Sequence, residues 1–184
     1  SQIELGRAHP SSRNLQIIAE RLKRPIEYFL QDPETSATAL ELQLAEAASR
    51  IRRGDGERAR ALMVELLAHP QIVPAVRARA QLVLAEALLK LRAIQEAIDV
   101  LKVAIKAAET SGWRALTVEL YDRMGSAYYQ LRHPHEAGRW WDRAVFAYEQ
   151  ADLADPLLRA RILGHRANLH YVAGQPREAI SGYK

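Results

Sequence analysis

Residues 124–144 read MGSAYYQLRHPHEAGRWWDRA. The stretch divides around Pro134. Before it, small Gly125 and large Tyr128 share one helical face; after it, Ala137, Trp141 and Ala144 restore the alternation on a second helix. From Gly125 the steps are three, nine, four and three residues. The same steps lead from Ala85 to Leu88, Ala97, Leu101 and Ala104, and from Ala167 to His170, Ala179 and Tyr183. From Ala47 they lead to Arg50, Ala59, Met63 and Leu66, a weaker copy with a cation where a large apolar residue is expected. Successive copies are 38, 40 and 42 residues apart. Small residues let two antiparallel helices approach, and large ones fill the hollow opposite. One such hairpin cannot bury its faces alone, so it stacks on its neighbours.

The best copies are RARAQLVLAEALLKLRAIQEAIDVLKVAIKAA and VELYDRMGSAYYQLRHPHEAGRWWDRAVFAYEQ. They resemble the tetratricopeptide repeat (TPR). The periods exceed that family's usual ~34 residues, so helices or connections are longer by a turn or two. The fold expected is all-α, a TPR-like right-handed α-solenoid of antiparallel helix pairs. Its repeats span about 40–72, 75–108, 115–150 and 156–184, the last incomplete. An array that stops inside a second helix is expected to continue in the native protein.

Beside the packed stripe runs a second one at helical spacing. It comprises Arg79, Leu82, Glu86, Leu89 and Lys90, then Glu119, Asp122, Ser126, Tyr129 and Gln130, then Arg161, Gly164, Asn168, Tyr171 and Val172. The TPR resemblance implies that this stripe lines a concave ligand groove. Its tyrosines, its Asn168 amide and its scattered charges suit an extended peptide or protein segment. The alternative is a solvated face with internal salt bridges.

The first 30 residues differ from the array. Leu15, Ile18, Ala19 and Leu22 share a helical face within residues 11–23, and Pro25 opens a short helix with Ile26, Phe29 and Leu30. Ser1, Ile3, Glu4, Gly6, Pro10, Ser11, Leu15, Ile18, Ala19, Leu22, Pro25, Tyr28 and Leu30 resemble the end of an XRE-type (phage repressor-like) helix-turn-helix domain. That resemblance implies that the chain starts within a recognition helix, with the rest of the domain preceding it. It implies DNA contacts in the intact protein at Gln2, Arg7, Arg13 and Asn14. The divisions expected are a helix-turn-helix part at 1–31, a short linker at 32–39 and the array at 40–184.

Composition narrows the function. The 184 residues are 48% hydrophobic and 26% charged, an ordinary globular balance. No apolar run approaches the ~18–20 residues that cross a bilayer. With no Cys, disulfides and thiolate metal sites are excluded, which fits a cytoplasmic protein. A net charge of +4 does not itself call for nucleic acid. His133 and His135 flank Pro134 in a turn, too few ligands for a metal. There is no phosphate-binding glycine loop and no nucleophile elbow. No enzyme and no cofactor are expected.

The resulting expectation is a DNA-binding transcriptional regulator, similar to bacterial peptide-sensing regulators. Its TPR array would bind a peptide or protein, mediate homodimerisation, or both. The competing reading is a TPR interaction scaffold without DNA binding.

Overall fold

A computed structural model of the chain describes residues 33–70 and 72–172, together with Ile17, Glu20 and Arg21. It contains two units, Ser1–Leu42 and Gln43–Lys184. In the first, Ile17, Glu20 and Arg21 are helical, as expected for residues 11–23. The DNA-contact candidates Gln2, Arg7, Arg13 and Asn14 lie outside the described residues, as do Ala179 and Tyr183.

Seven helices run through the described residues: α1 Pro33–Arg52, α2 Gly56–Ala68, α3 Pro74–Lys90, α4 Ile94–Ser111, α5 Arg114–Gln130, α6 Pro134–Ala151 and α7 Pro156–Val172. There is no strand among them. Residues 33–39, within the expected linker at 32–39, are the first two turns of α1. Pro33 suits a first turn, where its missing N–H costs nothing.

One turn geometry repeats. Gly54, Arg92 and Arg132 follow α1, α3 and α5 with φ of 85°, 62° and 64°. The next amide closes back to the helix in each case: Asp55 N to Arg50 O at 2.9 Å, Ala93 N to Leu88 O and His133 N to Tyr128 O at 3.0 Å. This left-handed cap reverses the chain and satisfies carbonyls that the helix end leaves free. Left-handed residues also close α4 and α6, Gly112 and Asp152 at φ 70° and 48°, whereas α2 ends at His69 in extended backbone.

The hairpins α3–α4 and α5–α6 pack internally, and α2 on α3, α4 on α5 and α6 on α7 join them into a stack. The first helices α3, α5 and α7 also touch in sequence, forming one side of the array. Most of the repeating positions are its core, with Tyr128 half-buried. Ala47, Ala59, Met63, Ala85, Ala97, Leu101, Ala104, Ala137 and Ala144 have no exposed surface, and Leu66, Leu88, Trp141 and Ala167 are buried. At Gly125 a Cβ would lie 2.6 Å from Trp141 Nε1, so the largest residue of the pattern faces the smallest. Arg50 is not core; it pairs with Glu46 and Asp55 across the first turn.

Val118, Ala144, Leu158 and Ile162 bury the junction of α5, α6 and α7. The Tyr148 hydroxyl lies between the carbonyls of Leu153 (2.7 Å) and Asp155 (2.9 Å), fixing the α6–α7 connection.

Candidate ligand groove

A groove of about 580 Å³ opens along the first helices. It is lined by Ile51 and Arg52 of α1, by Glu86, Leu89, Lys90 and Arg92 at the end of α3, by Arg123, Ser126 and Gln130 of α5, and by His165 of α7. Helical spacing explains the set. Glu86 and Ser126 each follow the packed small residue, Ala85 or Gly125, and Lys90 and Gln130 lie one turn further on the same face.

The predicted stripe is divided by the structure. Glu86, Lys90, Ser126 and Gln130 meet in the groove. Arg79, Asn168 and Tyr171 are exposed outside it, and Arg161 is half-buried beneath its edge. Tyr129 turns toward the hairpin interior, its ring 5.9 Å from Trp141. Asp122 is the correction. Expected on the open stripe, it is completely buried. It lies three residues before the packed Gly125, where the earlier repeats place buried Leu44 and Leu82.

A buried carboxylate requires partners, because desolvating an unpaired charge is prohibitive. Asp122 Oδ2 accepts from Arg161 Nε at 2.9 Å and Arg123 Nη1 at 3.2 Å. Its Oδ1 lies 2.8 Å from His165 Nδ1. An ionised carboxylate only accepts, so Nδ1 carries the proton. Burial pushes the Asp122 carboxyl up, but the His165 bond and the charges of Arg123 and Arg161 outweigh it and hold it below the usual carboxylate range. Above the aspartate, Trp141 Nε1 donates to its carbonyl at 3.2 Å, and the His165 ring lies 5.3 Å from the indole.

Arg123 extends the cluster to α3, where its Nε donates to Glu86. Burial alone would lower the Arg123 pKa; Glu86 and Asp122 reverse that and raise it. Burial raises the neighbouring Glu119 carboxyl, against the opposing pull of Arg161 and Arg123. One network thus links three successive first helices directly beneath the groove. Helical spacing places its hub on the second stripe with Leu82 and gives no sign of Arg123 or His165. The signal for the hub is nonetheless present: the repeat register itself makes residue 122 a core position.

A second cavity of about 800 Å³ lies among the ends of α4, α5 and α6, with Glu109, Arg114, Tyr121, Arg143 and exposed Phe146 on its walls. Burial and a bond to Glu109 push the Tyr121 hydroxyl up to about 12. Trp140 meets the Tyr121 ring at 5.6 Å, tilted by 50°, and Arg143 lies over its indole with the guanidinium carbon 4.6 Å from the ring centre. His133 and His135 are exposed, and no metal-ligating cluster occurs among the described residues.

Neither a protein-family model nor a curated protein matches this chain. Among solved structures, BtubC (BKLC) from P. vanneervenii is similar over 92% of this chain and 65% of its own, with TM-score 0.68 and 16% identity. A variant of a putative kinesin light chain with nearly identical TPR-like repeats, from Podosopora anserina, matches over 78% of this chain and 91% of its own, with TM-score 0.37 and 17% identity. The chain spans just under two thirds of the BtubC chain. The likeness is one of fold: a TPR-like repeat solenoid. Among the described residues no helix is long and apolar enough to cross a membrane.

Proposed function

We propose that this chain is a protein-interaction module whose groove along α3 and α5 holds an extended segment of a partner. The observation that carries this reading is the groove itself. Equivalent positions of successive repeats, Glu86 and Ser126, then Lys90 and Gln130, line one continuous polar trough. Ser126 and Gln130 offer donors and acceptors to a peptide backbone, and the buried network beneath holds their helices in place.

The test is a displayed peptide library, followed by calorimetry of selected peptides on wild type and variants. Ser126→Ala and Gln130→Ala are expected to weaken a selected peptide about 5- to 150-fold with the fold intact, the loss of roughly 1–3 kcal/mol. Unchanged affinity in folded variants would move the site off this face. Asn168→Ala and Tyr171→Ala, outside the groove, test whether the ligand continues along α7.

The regulator reading adds a DNA-binding head, a cytoplasmic setting and homodimerisation. It is supported by the residue pattern from Ser1 to Leu30 and by no contact in the described residues. Footprinting with the protein at ~150 mM salt tests it. Protection of a defined duplex sequence would support a regulator; uniform, salt-sensitive binding would reduce the protein to a scaffold.

A further inference from the structure

The charges of the groove do not balance. Its acid, Glu86, is already paired with Arg123. Among the described residues Arg52 and Lys90 form no ion pair, and Arg92 gives its Nη1 only to the neutral Gln130 amide, at 3.2 Å. These three cations gather where α1 and α3 end.

Helix dipoles account for part of this, since a cation in a last turn is favoured there. They account for Arg52 and Lys90, which end α1 and α3. They do not require Arg92 at a left-handed position, where a side chain costs roughly 1–2 kcal/mol relative to ordinary helical backbone. The equivalent turn after α1 uses Gly54, which avoids that cost. Arg132 repeats the substitution 40 residues further on, also left-handed and exposed. A strained backbone that places the Arg92 guanidinium on the groove rim points to a use for its charge.

We propose that this end of the groove receives an acidic polypeptide segment, its carboxylates held by Arg52, Lys90 and Arg92. The proposal rests on the groove reading above and supplies the ligand class. Arginine offers planar, paired donors to a carboxylate. A nucleic acid fits less well: among the lining side chains His165 is the sole ring on which a base could stack, and it is already engaged by Asp122.

The probes are a fluorescein-labelled peptide alternating Glu with Leu and Ser, its counterpart with Lys for Glu, and a labelled single-stranded oligonucleotide. Anisotropy titrations on the full chain at ~150 mM salt are expected to show the acidic peptide binding at least about tenfold tighter than the basic one. Arg52→Ser, Lys90→Ser and Arg92→Gly combined are expected to abolish that preference, with circular dichroism confirming the fold. The Gly relieves the left-handed turn, so folding is not put at risk there. Equal binding of both peptides, an acidic preference surviving the triple substitution, or tighter binding of the oligonucleotide would overturn the proposal. Library peptides of neutral or basic sequence that bind the groove and ignore the substitutions would retain the peptide groove but overturn its acidic ligand. No peptide binding of any charge would overturn both.

Discussion

The hairpins α3–α4 and α5–α6 share a turn, a register and a packing pattern, yet they solve their interiors differently. In α3–α4 the close approach is Ala85 and the residue opposite is Leu101; in α5–α6 they are Gly125 and Trp141. Three residues earlier, α3 buries Leu82 and α5 buries Asp122. One hairpin is held by apolar packing that tolerates local adjustment. The other is held by a fixed aromatic and an ion cluster that reaches both neighbours. The second arrangement carries more geometric information but depends on every partner. It is expected to set the spacing of α3, α5 and α7, and hence of the groove above them.

The largest effect should come from the hub. Asp122→Ala leaves Arg123, Arg161 and His165 facing a void and is expected to cost about 3–5 kcal/mol, the range for breaking a buried pair. Denaturant unfolding measures it. Leu82→Ala, losing packing but no charge, is expected to cost about 2–5 kcal/mol and to show no pH dependence. Asp122 has a depressed pKa, so its contribution is present above its unfolded-state value and is lost as pH falls through the lower folded value. The Asp122→Ala deficit should therefore shrink below about pH 4, and a deficit constant with pH would sink the ionic account.

Next comes the tight approach. Gly125→Ala forces a Cβ against a buried indole and should cost about 1–3 kcal/mol. Added to Trp141→Leu, which imitates the Ala85–Leu101 pair, the same change should cost roughly 1 kcal/mol less than in wild type. Strict additivity would show that the two residues are not in contact.

The turns give a smaller difference. Gly54→Ala should lose about 1 kcal/mol at its positive φ, whereas Arg92→Gly, which removes the same cost, should gain up to about 1 kcal/mol. Equal penalties in thermal unfolding would mean that the two turns are not equivalent.

The smallest effect concerns Glu119. Its pKa is raised by burial, so ionising it opposes folding: stability is greatest below its unfolded-state pKa and declines as pH rises through the folded one. Glu119→Gln should slightly raise the thermal midpoint at pH 7 and leave it unchanged near pH 3. A lower midpoint at pH 7 would show that its pairing with Arg161 and Arg123 outweighs burial.

The repeat register is legible because size alternation at fixed steps is a packing property carried by single residues such as Gly125, Ala137 and Trp141. Asp32-Pro33 signals the start of α1, and the change in composition near residue 40 falls inside that helix. The groove is legible only in part. Glu86, Lys90, Ser126 and Gln130 follow from helical spacing alone. Arg52 and Arg92 enter it through the ends of helices and a left-handed turn, which periodicity does not locate. Asp122 is assigned by helical spacing to the second stripe, whereas the apolar Leu44 and Leu82 at its equivalent positions mark a core position.

Amide hydrogen exchange with a library-selected peptide at saturation tests the central claim most directly, because it locates the ligand on one side of the array. The account predicts slowed exchange at the ends of α3 and α5, around residues 86–92 and 123–132, with α4 and α6 unchanged. Slowing confined to α4 and α6, around Gly112 and Phe146, would contradict it and place the ligand in the cavity on the other side.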